Sequence, residues 1–105
     1  MNRFSVIYLL SEQYQHIHCK THHEADSVLE HLFTLEKHTP IGIYDAKTEL
    51  FYWESVRQNI YNRSSIEDQG KLGNQITKIA QDLRQQNELD QVEIVVVPQP
   101  VYISI

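Results

Sequence analysis

All six histidines lie between residues 16 and 38, and four of them crowd into His16-Ile-His-Cys-Lys-Thr-His-His23. Imidazole nitrogens are common ligands of zinc and other borderline metals. On an extended strand His16 and His18 project from one face, and a helix starting near His22 brings His22 and His23 back within a few residues of them. One expectation is therefore a metal site built from His16, His18 and either His22 or His23, with zinc as its ion. The positive end of a helix also disfavours protonation there, which keeps His22 and His23 competent to ligate. The plainer reading is an exposed strand face beside a solvated helix start, with no cofactor. It outweighs the metal reading, because H-x-H pairs arise often and no spacing fixes a third ligand.

Cys19 sits among these histidines and is the one thiol available as a nucleophile. Strand alternation turns it away from His16 and His18, where it behaves as a small core residue rather than an exposed, activated thiolate. The carboxylates are accounted for locally: Glu24 by a helix cap, Glu67 and Asp68 by a helix start, Asp45 by a turn. G-x-S-x-G, a phosphate-binding glycine loop and C-x-x-C are absent from the sequence, so no reaction is indicated and a non-enzymatic role is expected. Tyr44, Phe51, Tyr52, Trp53, Tyr61 and Tyr102 could line a pocket or stack on bases. Packing against helices is the stronger reading, with a protein interface next.

The elements that must position these groups centre on Pro40 to Trp53. Two β-prone runs, Ile41 to Tyr44 and Leu50 to Trp53, flank a short polar linker and read as a hairpin, with the Asp45 carboxylate accepting a backbone N–H about two residues on. Gly42 would face Phe51 or Tyr52, whose ring covers the bare backbone. Before it, Phe4 to Leu10 is apolar on both faces and reads as an interior strand. Tyr14 to Lys20 alternates and returns as its half-exposed partner. Thr21-His-His-Glu24 fits a capping box, so a helix starts near His22 and buries Ala25, Val28, Leu29, Leu32 and Phe33. The segment 55–62 fits either a strand extension or an ordered loop. Ser65 to Asp68 opens a second helix with Leu72, Ile76, Ile79, Ala80 and Leu83 on its apolar stripe, running to about Asn87. Gly70 and Gly73 suggest a start nearer Leu72 or a close approach to the sheet. Residues 92–97 read as a strand, Pro98-Gln-Pro100 interrupts it, and 101–105 resumes it.

The expected architecture is α+β: a largely antiparallel sheet of five or six strands with two helices on one face, in the order ββαββαβ(β). With 105 residues, 41% of them hydrophobic and 22% charged, the chain suits one domain over residues 1–105. A net charge of −5 with scattered Lys and Arg disfavours nucleic acid as a partner. The lone cysteine fits a reducing, cytoplasmic setting. Phe4 to Leu10 is too short for a membrane span and lacks the flanks of a signal peptide. Ile7, Leu9 and alternate residues of 50–53 would populate a second sheet face that two helices on the first leave bare. That implies a partner or a second copy. The functional expectation is a non-enzymatic interaction or binding module acting as a homodimer, through sheet faces or the 92–105 edge. The alternative is metal or small-ligand binding at residues 16 to 23.

Overall fold

The computed structural model describes the backbone of residues 2–96 and the side chains through Gln86. Strands β1 (Phe4–Leu10) and β2 (Gln13–Cys19) form a first hairpin, followed by helix α1 (His22–Leu32). Strands β3 (His38–Asp45) and β4 (Leu50–Trp53) form a second, followed by helices α2 (Ser55–Arg63) and α3 (Ile66–Val96). The strands make one sheet in the order β2-β1-β3-β4, and every pairing is antiparallel.

The α+β class and the antiparallel sheet agree with the sequence, but the count does not. There are four strands and three helices among the described residues, in place of five or six strands and two helices. The ambiguous segment 55–62 is helical, and residues 92–96, expected as a strand, are the last turns of α3. Strand propensity in Val and Ile is weak and depends on context. Asn87 to Gln91 contains no Gly or Pro to stop a helix already several turns long, so the helix continues through the Val-rich run. The Pro98-Gln-Pro100 break and the 101–105 strand lie outside the described residues.

The helix starts follow from local chemistry. Thr21 Oγ1 accepts the Glu24 N–H at 3.0 Å, and Glu24 Oε1 reaches back to the Lys20 N–H at 2.7 Å. This satisfies one amide that α1 would otherwise leave orphaned and ties the residue before the N-cap to the first turn. Ser65 does the same for α3 by accepting the Asp68 N–H at 3.1 Å. Helix α3 therefore begins at Ile66 and runs through both Gly70 and Gly73, each of which borders open space. Neither glycine marks a start or a close approach.

The helices divide between the two sheet faces. Helix α1 sets Ala25, Leu32, Val28 and Leu29 on Phe4, Val6, Ile17, Cys19 and Ile43. Helix α3 sets Ile76, Ala80, Ile79 and Leu83 on Ile7, Ile41, Tyr44, Phe51 and Trp53. The second apolar face is thus covered by the chain's own α3, which corrects the placement of both helices on one face. A β-bulge assists. Ile7 pairs with Gly42 and Tyr8 with Pro40, so Ile41 is the extra residue, and it joins the α3 cluster. Gly42, next to the bulge, is a genuine close approach: a Cβ there would lie 2.6 Å from the Phe51 ring and collide with the Tyr52 carbonyl oxygen. The Phe51 ring covers this glycine, although the residue paired with it across the ladder is Trp53 and not Phe51 or Tyr52.

Candidate functional site

The sheet separates the histidines. His16 and His18 lie on the α3 face, their ring centroids 4.6 Å apart. His16 Nδ1 is 3.3 Å from Ser5 Oγ. That buried hydroxyl accepts an N–H from Arg84 Nη1 at 2.7 Å. Arg84 also donates to the Asn2 carbonyl at 2.7 Å, so one guanidinium ties α3 to β1 and to the segment that leads into it. Burial, with His18 and Arg84 nearby, lowers the His16 pKa to about 4. His22 is on the other face, packed edge-on against Phe4 and Tyr52 at 5.4 and 5.1 Å and 3.1 Å from Asp26. His23 lies exposed beside it on the first turn of α1. The pair His16 and His18 is brought together, and His22 is not brought to it. Among the described residues no group of three or more His, Cys, Asp or Glu side chains converges on a common point.

Cys19 faces the α1 core at 2% exposure. Burial pushes its thiol pKa up, and Glu24 adds to the effect. Of the aromatics, Tyr44 is buried and its hydroxyl accepts an N–H from Gln81 at 3.0 Å. Phe51, Trp53 and Tyr61 form a row with successive centroid distances of 4.9 and 5.5 Å. Tyr102 lies outside the described residues.

What the sequence did not point to is α2. Its N-cap is Glu54, a buried carboxylate that accepts the Arg57 N–H at 3.3 Å. Its C-terminal end is held by the Gln69 amide, which donates to the Tyr61 and Ser64 carbonyls at 2.9 and 3.3 Å. The corner with α3 is fixed, yet α2 contributes no buried residue to the fold. Its amphipathicity is inverted. Arg57 and Tyr61 turn inward, while Val56 and Ile60, one helical turn apart, are 60% and 49% exposed. Ile66, at the start of α3, is 88% exposed.

Beneath α2, between it, α3 and the second sheet face, lies a cleft of about 90 Å³. Ile76 and Ile79 floor it, and Tyr14, Trp53, Arg57 and Gln75 stand around it. No local pattern announces this convergence, because its walls come from β2, β3, β4, α2 and α3. Compared with protein families, characterised proteins and solved structures, the chain shows no significant match. No helix among the described residues is long and apolar enough to cross a membrane.

Proposed function

We propose that the chain is a non-catalytic binding module that acts in the cytoplasm as a homo-oligomer, with the α2–α3 corner as its contact surface. The observation that carries this reading is the outward apolar pair Val56 and Ile60 on a helix that buries none of its own residues. A nine-residue helix is marginal in water on its own. Here caps hold it in place while its apolar stripe stays in solvent, the arrangement of a surface awaiting a partner. The sheet faces on which dimerisation was expected are occupied by α1 and α3, so the contact moves to this corner. Charge favours a second copy as the partner: α2 carries no carboxylate and ends on the exposed Arg63, whereas Glu67 and Asp68 open α3. A two-fold contact sets each basic helix against the partner's acidic turn around the apolar centre. The lone, buried Cys19 supports a reducing compartment.

Light scattering on the full chain tests this. The wild type is expected at dimer mass and the double variant Val56→Gln/Ile60→Gln at monomer mass with unchanged circular dichroism, since Gln is a good helix former. Zinc leaves both masses unchanged on this reading. A monomeric wild type at about 100 μM, well above the Kd of a stable dimer, overturns it. A mass that depends on zinc transfers the function to the histidines.

A further inference from the structure

We propose that the cleft between α2, α3 and the sheet binds a short-chain monocarboxylate, its carboxylate on Arg57 and its hydrocarbon on Ile76 and Ile79. The inference does not rest on the oligomer, because the cleft lies on the inner side of α2 and the contact surface on the outer.

Three observations converge on it. The first is size. A cleft of about 90 Å³ holds several waters or about half a dozen non-hydrogen atoms, too little for a nucleotide or a sugar and enough for a four-carbon acid. The second is the lining, an aliphatic floor with Trp53 and Tyr14 as aromatic walls, which suits an alkyl chain and penalises a second charged group. The third is Arg57. Among the described residues its guanidinium has neither an ion pair nor a hydrogen-bond partner, although it lines a cleft that also carries aliphatic side chains. The other partly buried arginine, Arg84, is engaged by Ser5 and Asn2, and even the exposed Arg3 is engaged by Asp45. A planar fork of N–H donors beside aliphatic side chains matches a monocarboxylate, whose carboxylate it can hold through two parallel hydrogen bonds. Glu54, the nearest acidic residue in sequence, has its carboxylate turned to the α2 N-cap and does not line the cleft. The exposed Gln75 also lines the cleft.

Trp53 is the chain's single tryptophan and forms one wall, so its emission reads occupancy directly. Titration of the full chain with butyrate is expected to give a saturable change with a Kd on the order of 1–10 mM, as befits six heavy atoms. Butyramide, the same shape without charge, is expected to bind at least about tenfold more weakly. Arg57→Gln should weaken butyrate by about tenfold or more, while Lys71→Gln, which removes one positive charge from the exposed face of α3, leaves it unchanged. N-acetylvaline, which presents the carboxylate as a peptide terminus does, is too large for the cleft and is expected not to bind. No saturation below about 100 mM, weaker than any specific site, overturns the proposal. So does equal binding of butyrate and butyramide, a result that depends on no variant, or binding of N-acetylvaline in preference to butyrate.

Discussion

Arg3 grips Asp45 through both carboxylate oxygens, Nε to Oδ1 at 2.7 Å and Nη2 to Oδ2 at 2.6 Å. Asp45 is 1% exposed and also accepts the Lys47 N–H at 2.9 Å, the Asx turn expected from the sequence. The Ala46 N–H adds a bond to the Arg3 carbonyl at 2.9 Å, so the second hairpin is fastened to the residue that precedes β1. One carboxylate thus shapes a turn and anchors it to a strand about forty residues away in sequence.

The Arg3 guanidinium holds the Asp45 carboxyl well below the usual carboxylate range. A depressed folded pKa means the unfolded chain binds the proton first. The contribution to stability is full above the ordinary Asp value of about 3.9 and is lost as pH falls below it. Asp45→Asn is expected to cost about 2 kcal/mol at neutral pH, the scale of a buried charge-assisted hydrogen bond. It should also flatten the acid limb of urea-melt stability below about pH 4. An unchanged acid limb in the variant would remove this role.

His16 acts in a different window. Its folded pKa is lowered from 6.5 to about 4, so the unfolded state takes up the proton across that interval and stability falls as pH drops through it. Replacing His16 by Gln is expected to make stability nearly level between about pH 6.5 and 4 while the steeper loss below about pH 4 persists. Chemical melts at half-unit intervals separate the two limbs.

Gly42→Ala should destabilise by about 1–3 kcal/mol, the usual cost of overfilling a packed site. The added carbon meets the Tyr52 carbonyl oxygen, which belongs to the ladder and cannot swing aside, and the Phe51 ring. If the melting midpoint is unmoved, the β3–β4 pairing is looser than this contact implies.

The first hairpin offers a change of opposite sign. Its turn consists of Ser11 and Glu12, both at positive φ, 50° and 73°. Two-residue turns of this hand favour Asn-Gly, because L side chains resist that region. The double replacement Ser11→Asn/Glu12→Gly is expected to stabilise the chain by about 1 kcal/mol, seen as a higher denaturant midpoint with the same slope.

Local signals carried the parts of the fold that depend on a few adjacent residues. Thr21 and Glu24, Ser65, the Asp45 turn and the burial of Cys19 under α1 were all legible in the sequence. What was not legible required knowing which elements meet. The alternation in β1 and β4 announced two apolar faces. It could not say that α3 would cross to the second, since that depends on the Ile41 bulge and on where β4 delivers the chain. Helix α2 was hidden because Glu54 is not a preferred N-cap and the apolar residues point outward, so no inward stripe advertises it. The Val-rich run at 92–96 misled for the reverse reason: its strand-like composition outvoted the absence of any stop signal before it. Of the histidines, the sequence correctly paired His16 with His18. It could not foresee that α1 would carry His22 over the opposite face, nor that Arg57 and Arg84 would arrive from distant segments.

The placement of Cys19 has a practical consequence. The chain's only sulfhydryl is sealed under α1 between Phe4 and the helix, with its protonated form favoured. A maleimide or disulfide reagent can reach it only while α1 lifts away, so the speed of labelling in native buffer measures how often that layer opens. The molecule carries its own shutter and its own dye-attachment point. Comparing labelling rates with global stability reveals whether the α1 layer opens alone or only when the whole sheet comes apart.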